Sequence, residues 1–202
     1  MNPDNIIDRI ADELSDRSPQ RADPSAYDIE AAVSLLLRPG PAAVEFLAIK
    51  RTELDDDPWS GHMALPGGRR DPADASLWET AVRETREEVK IDLAGVGRLL
   101  GQLDDVAPRS VRIPAIAITP FVVAVESGVE AGTSREVERS VWLPLEVLLE
   151  ERHRGRLKLE ILPDREFPTI EYQGDVIWGL TLRILGQFEE ILRRVGYGGA
   201  RG

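Results

Sequence analysis

The chain has 202 residues, 42% of them hydrophobic, with a formal net charge of -11 and no cysteine. That length and apolar content fit one domain with a short extension and exclude a disordered polymer. The acidic balance argues against tight, sequence-blind binding to nucleic acid, which needs a basic face, and the missing cysteines rule out disulfides, thiolate zinc sites and cysteine nucleophiles.

The start, Met1-Asn2-Pro3-Asp4, lacks a basic n-region followed by an apolar stretch, so no secretory signal is expected. The longest apolar runs, such as 115–125, are broken by Thr119-Pro120 and are too short to span a bilayer. The expected location is the cytoplasm, with neither membrane nor nucleic acid as partner.

Ile6, Ile7, Ile10 and Leu14 recur at helical spacing, with Asp8, Asp12 and Glu13 on the other side, and predict an amphipathic helix over 3–14. Residues 15–24 are polar, hold two prolines and read as a linker. Residues 31–37 and 44–50 are strand candidates around the turn Pro39-Gly40-Pro41, which together make a hairpin. A polar loop over 52–61 and a second loop, Leu65-Pro66-Gly67-Gly68, precede a helix over 75–89. Its buried side is expected to carry Leu77, Trp78, Ala81, Thr85 and Val89. Strands are expected over 96–103 and 113–125, where Pro114 and Pro120 imply edges or bulges. Further on come a short strand at Val141-Trp142, a short helix over 145–150 and short strands over 157–161 and 169–172. The last element is a helix over 180–195 with Leu182, Leu185, Phe188, Ile191 and Leu192 as its apolar face. The irregular mixture predicts an α/β domain with a mixed sheet.

Chemistry concentrates in Gly67-Gly68-Arg69-Arg70-Asp71-Pro72 and Thr80-Ala81-Val82-Arg83-Glu84-Thr85-Arg86-Glu87-Glu88. Glu84, Glu87 and Glu88 stand at i, i+3 and i+4, on one helix face. Clustered carboxylates repel unless a cation sits between them, and hard oxygen ligands suit Mg²⁺ or Mn²⁺, which also bind phosphate oxygens. Arg83 can pair with Glu87 at i+4. Taken alone, such an acidic run is usually a solvated helix face. The double glycine that precedes it, where backbone can approach a ligand or the helix closely, changes that weighing.

With these residues in view, the sequence resembles the Nudix hydrolases, whose signature is G-x5-E-x7-R-E-U-x-E-E-x-G-U, with U a bulky aliphatic. Gly68, Arg83, Glu84, Glu87, Glu88 and Ile91 match it. Thr85 stands at an aliphatic position, Lys90 replaces the glycine, and the gap from Gly68 to Arg83 is one residue longer. Asp74 lies where the early glutamate belongs, and Glu79 is the nearest glutamate. The stretch from Trp59 through His62 and Pro66 to Gly68, and later Thr119-Pro120-Phe121-Val122, Trp142-Leu143-Pro144-Leu145 and Ile177-Trp178-Gly179, are similar to the coenzyme A diphosphatase branch. That branch carries an arginine in the loop after the second strand, where this chain reads Glu53-Leu54-Asp55-Asp56-Asp57-Pro58, acidic residues that repel a 3′-phosphate.

The resemblance implies a Nudix-type α/β/α sandwich with a mixed β-sheet over 25–196, preceded by the helix and linker of 1–24. It implies a hydrolase that cleaves the P–O–P linkage of a nucleoside diphosphate derivative, coenzyme A or a related nucleotide, with Mg²⁺ or Mn²⁺. Glu84, Glu87 and Glu88 would be the metal ligands, Glu87 and Glu84 with Arg83 the catalytic set, and Arg83 structural in role. Glu87 or a downstream acid, Glu136 or Glu138, would take the proton. Arg51, Gly67, Gly68, Arg109 and Ser110 are the expected substrate contacts, with Lys50 and Arg112 near them and His62 a packed or surface residue. No other cofactor is implied. The N-terminal helix and the apolar hairpin offer surfaces for a homodimer. Other Nudix substrates, such as ADP-ribose or dinucleoside polyphosphates, stay open. The rival of a different kind is a catalytically weak Nudix domain that senses a nucleotide and regulates a partner; such domains tend to lose glutamates that this chain keeps.

Overall fold

The computed structural model describes residues 3–53, 62–108, 115–159 and 162–198. Its organising element is β1 (Ile29–Pro39), an apolar strand whose alternate side chains serve two cores. Ala31, Leu35 and Leu37 enter one core; Ala32 and Leu36 enter the other. Along one edge β1 runs parallel to β6 (Ile116–Ala124), from Ile29 beside Ile116 to Leu37 beside Ala124. On the other edge it turns through the predicted hairpin into β2 (Val44–Arg51), pairing Leu37, Arg38 and Pro39 with Phe46, Glu45 and Val44.

Beyond these residues β1 and β2 diverge. The wedge between them is filled by β3 (Met63–Ala64), which pairs with β2, and β4 (Gly67–Arg69), which pairs with β1. The expected loop at Leu65-Pro66-Gly67-Gly68 is therefore half strand. Two- and three-residue strands carry no legible alternation, and Gly67-Gly68 has no side-chain pattern at all. The sheet is completed by β5 (Arg98–Gln102) beside β6 and β7 (Val137–Pro144) beside β2, seven strands in all.

Two further expectations are corrected here. The residues Leu93–Val96 form a single helical turn, α3, capped by Asp92, so the strand predicted over 96–103 begins only at Arg98. Pro120 lies on neither an edge nor a bulge of its own strand: β6 is interior, between β1 and β5. The Pro120 carbonyl accepts the Leu103 N–H at 3.0 Å. The position facing the missing N–H is therefore on the side where β5 has already ended at Gln102.

Helix α2 (Leu77–Val89) covers one face of the sheet. It starts where Ser76 Oγ accepts the Glu79 N–H at 3.2 Å while the Glu79 carboxylate accepts the Ala75 N–H at 2.9 Å, a variant of the capping box. On the other face lie α1 (Pro3–Ser15) and α4 (Gly179–Arg194). Ile6, Ile7, Ile10 and Leu14 of α1 are buried as the periodicity predicts, in the same core as Ile184, Leu185, Phe188, Ile191 and Leu192 of α4, each such side chain contributing about 1.5–3 kcal/mol. Residues between α1 and β1 are strapped down by two carboxylates. Asp104 takes the Arg17 guanidinium and the Gln20 N–H, and Asp105 takes Arg21 and the Ala22 N–H. A small antiparallel sheet of β8 (Arg154–Leu159), β9 (Leu162–Tyr172) and β10 (Asp175–Trp178) adds Ile170 and Ile177 to the α1–α4 core. Helices on both faces of a mixed sheet make this an α/β/α sandwich. No described helix is long and apolar enough to cross a membrane.

Candidate active site

The wedge places two adjacent glycines under α2, and each is needed for a separate reason. Pro66 accepts the Ser34 N–H at 2.8 Å, which locks the segment against β1. Gly67 follows with φ 152°, and a Cβ there would lie 2.3 Å from the Ala32 carbonyl oxygen and 2.6 Å from Val33 Cα. At Gly68 the nearest atoms to a Cβ would be those of the Glu84 carboxylate, with Cδ and Oε1 at 2.5 Å. Gly67 thus serves the chain path and Gly68 makes room for a carboxylate.

Glu88, in the last turn of α2, is buried, and its Oε2 accepts the Gly67 N–H at 2.8 Å. Burial pushes its carboxyl up to about 7; the Gly67 N–H and nearby Arg51 oppose the shift, while the charges of Glu84 and Glu136 add to it. Burial also raises the Glu84 carboxyl, against the pull of Arg83. Glu87 is more open, with 56% of its side chain exposed. The i, i+3, i+4 spacing therefore yields one deep, one half-buried and one accessible carboxylate on a single helix face.

Arg83 is the hub that orders Glu84 and Glu87. Its Nη1 donates to Glu84 Oε1 at 2.8 Å and to Glu87 Oε2 at 3.2 Å, the expected i+4 contact. Its Nη2 donates to the Arg69 carbonyl at 3.0 Å and to Asp74 Oδ2 at 3.0 Å, and Nε donates to Asp74 Oδ1 at 3.1 Å. Asp74 also accepts the Asp71 N–H and the Thr80 hydroxyl. The Arg83 guanidinium holds the Asp74 carboxyl well below the usual carboxylate range. So Asp74, at the signature distance from Gly68, fixes Arg83, whereas Glu79 is spent on capping α2.

Thr85, at the position where an aliphatic side chain is usual, is fully buried and donates from Oγ1 to Ser34 Oγ at 2.9 Å. Ser34 Oγ in turn lies 3.5 Å from the Ala81 carbonyl. The polar substitution on the helix is matched by a polar residue on β1, which satisfies it. Ser34 was visible as a lone hydroxyl in the apolar run Val33-Ser34-Leu35, a signal that sequence reasoning did not use.

A cavity of about 590 Å³ opens beside these groups, lined by Glu84, Glu87, Glu88, Lys90, Thr133, Ser134, Arg135 and Glu136. Of the two downstream acids, Glu136 lines it. Glu138 does not: its carboxylate pairs with Lys50 at 3.0 Å. Arg51 ends β2 within electrostatic reach of Glu88. His62 packs edge-on against Trp178, ring centroids 4.9 Å apart. Arg109, Ser110 and Arg112, and the acidic stretch Asp55-Asp56-Asp57, lie outside the described residues. The wall from Thr133 to Arg135 was missed in the sequence, because a loop between two strands carries no periodicity that points to a helix far earlier in the chain.

The donor chemistry fits a hard divalent cation. The site offers hard carboxylate oxygens, and burial favours a proton on Glu88 that a bound cation would displace. As the side chains stand, no three acidic or imidazole groups among the described residues are arranged to hold a metal ion; Glu84 and Glu87 are drawn to Arg83 instead.

A carboxylate-bearing helix seated on a glycine wedge in an α/β/α sandwich defines a class, and comparison with known proteins gives the family. The NUDIX domain family model matches residues 29–164. An uncharacterized Nudix hydrolase, NudL, from Yersinia enterocolitica is 33% identical over 179 residues, 84% of this chain and 84% of that protein. An uncharacterized protein from Schizosaccharomyces pombe is 36% identical over 118 residues; the match spans 56% of this chain but only 36% of that longer protein. Among solved structures, a Caenorhabditis elegans Ap4A hydrolase binary complex aligns with 83% of this chain and 99% of its own (TM-score 0.56, 18% identity). The NUDIX domain of Shewanella oneidensis NrtR complexed with ADP ribose aligns with 90% and 97% (TM-score 0.50, 19% identity). The chain belongs to the Nudix hydrolase family, whose members typically cleave pyrophosphate bonds in nucleotide derivatives and generally use divalent metals.

Proposed function

We propose that this chain is a Mg²⁺- or Mn²⁺-dependent diphosphohydrolase acting on a small nucleoside diphosphate derivative, coenzyme A or a related nucleotide. The observation that carries the reading is the set of carboxylates around one cavity, Glu84, Glu87, Glu88 and Glu136, with Glu88 buried among them. Glu84, Glu87 and Glu88 would hold the metal, which supplies charge neutralisation at phosphate oxygens and a more acidic bound water. Arg83 is a positioning residue: anchored by Asp74 and the Arg69 carbonyl, it sets where the Glu84 and Glu87 carboxylates stand. Gly67 presents its N–H to Glu88 and fixes that side chain from beneath. Glu87, the accessible carboxylate, and Glu136, which lines the same cavity, are the groups able to accept a proton from water during attack on phosphorus. The similarity to the coenzyme A diphosphatase branch, together with an ADP-ribose-bound structural neighbour, defines the first substrates to try.

The test is a panel of coenzyme A, ADP-ribose and NADH with purified protein in Mg²⁺ or Mn²⁺. At least one should be cleaved at its diphosphate, and chelation by EDTA should abolish the reaction. Undiminished turnover in EDTA, or binding of a panel member with no turnover under any metal, would overturn the proposal; the second result would favour the nucleotide-sensing alternative.

A further inference from the structure

Two cations on the cavity wall have no place in the machinery described so far. Lys90 follows α2 at φ 64° and ψ 21°, a left-handed conformation that glycine adopts freely and a lysine only at a cost. This is the position where the Nudix signature carries glycine, so strain has been accepted in exchange for a side chain. The neighbourhood accommodates that side chain. A Cβ added to Gly132 would lie 2.9 Å from Lys90 Cγ, so a side chain at residue 132 would press on the Lys90 stem. The Gly132 N–H donates to the Val89 carbonyl at 2.7 Å, which pins the loop to the helix end. Lys90 Nζ donates to the Glu87 carbonyl at 2.7 Å, which uses one of the three ammonium protons and leaves the others for a ligand.

Arg135 lines the same cavity. Its carbonyl accepts the Thr52 hydroxyl, but its guanidinium has no ion-pair or hydrogen-bond partner among the described residues, although Glu136 is its neighbour and three more glutamates line the same cavity. Thr133 and Ser134 add hydroxyls to that wall. Cations kept off nearby carboxylates at the rim of a cavity are available to an anion that enters it.

We propose that Lys90 and Arg135 form a cationic rim that binds a phosphoryl group additional to those handled at the carboxylates, so that the substrate class is a nucleotide diphosphate derivative bearing a further phosphate. This rests on the diphosphohydrolase reading of the same site. The extra phosphate has two chemical sources, a phosphomonoester on the ribose or a longer polyphosphate chain. Recognition through Lys90 and Arg135 also offers a substitute for the arginine that the coenzyme A branch carries after its second strand.

The experiment measures kcat and KM for the wild type, Lys90→Gly and Arg135→Gln on two substrate pairs that differ only in phosphate: coenzyme A against 3′-dephospho-coenzyme A, and diadenosine tetraphosphate against diadenosine diphosphate. In at least one pair, both variants should raise KM for the phosphate-richer member by about tenfold, the loss of a charge-assisted contact, and change KM for its counterpart by less than about threefold. The affected pair identifies the source. Thermal unfolding separates this from a capping role, because Lys90→Gly relieves the left-handed strain and should unfold no lower than wild type while its KM rises. If the wild type cleaves a substrate and neither variant alters discrimination within either pair, the rim is refuted and the reaction stands. If the wild type cleaves no diphosphate compound with Mg²⁺ or Mn²⁺, the reaction fails and the rim fails with it.

Discussion

Alanine at Gly68 should disable the site and spare the fold, while alanine one residue earlier should destabilise the fold itself. At Gly68 the added methyl carbon would sit 2.5 Å from the Glu84 carboxylate, which supplies its three nearest atoms. A carboxylate at the end of a side chain can rotate away, at the cost of its 2.8 Å bond to Arg83, about 1 kcal/mol. For a chain of this length, that lowers the thermal midpoint by roughly 2–4 °C. Glu84 is then displaced from the cavity, and metal affinity and turnover should fall by about tenfold or more. At Gly67 the methyl would press on Ala32 and Val33 backbone, with φ 152° besides, so on the order of 3 kcal/mol or more is lost, roughly 6–12 °C. Differential scanning fluorimetry, Mn²⁺ titration calorimetry and initial rates on each variant make the comparison. A fully active Gly68→Ala protein, or one as unstable as Gly67→Ala, would refute the assignment of Gly68 as the space in which Glu84 stands.

Glu88 should make metal-free stability depend on pH. Its carboxyl sits at about 7 in the folded chain against an ordinary 4.5, so the native state holds a proton that the unfolded state has released between those values. Stability must therefore fall as pH rises through that window, Glu88→Gln should flatten the slope in thermal melts, and Mn²⁺ affinity should climb over the same range as metal displaces the proton. Asp74 has the opposite sign. Its depressed carboxyl contributes above the ordinary carboxylate range and loses its effect as pH falls below about 4; Asp74→Asn should cost about 1–3 kcal/mol in urea unfolding at pH 7 and progressively less in acid. For the buried hydroxyl pair, Thr85→Val or Ser34→Ala alone should each destabilise by about 1–2 kcal/mol, whereas the double variant should cost less than their sum; additive losses would show that the two hydroxyls do not depend on each other.

What could be read from the sequence depended on how long and how periodic each signal was. The helices over 3–14 and 180–195 were legible to within a residue or two because Ile6, Ile7, Ile10 and Leu14, and the series from Leu182 to Leu192, repeat at helical spacing over about two to three turns. The carboxylate face was legible for the same reason, since residues at i, i+3 and i+4 meet wherever a helix forms. The strands β3 and β4 were not, because their existence is decided by the divergence of β1 and β2, a tertiary event with no trace in Leu65-Pro66-Gly67-Gly68. Pro120 misled because edge and interior strands differ in what lies beside them, which residues 113–125 alone do not record. The hub around Arg83 was half visible: the i+4 contact with Glu87 followed from spacing, but the grip of Asp74 crosses a loop and a helix start. Arg135 and Lys90 were the least legible, because it takes the fold to bring the loop after β6 against the end of α2.

The most direct measurement of the central claim is a side-by-side rate determination, in saturating Mn²⁺, for wild type, Glu87→Gln and Glu88→Gln on whichever panel nucleotide the wild type cleaves. Each variant keeps its side-chain shape and loses the charge a cation needs, so each should lose most of the rate, at least about a hundredfold, with the fold intact by circular dichroism. Rates equal to wild type in both variants would contradict the account, because the glutamates on α2 would then have no part in the chemistry.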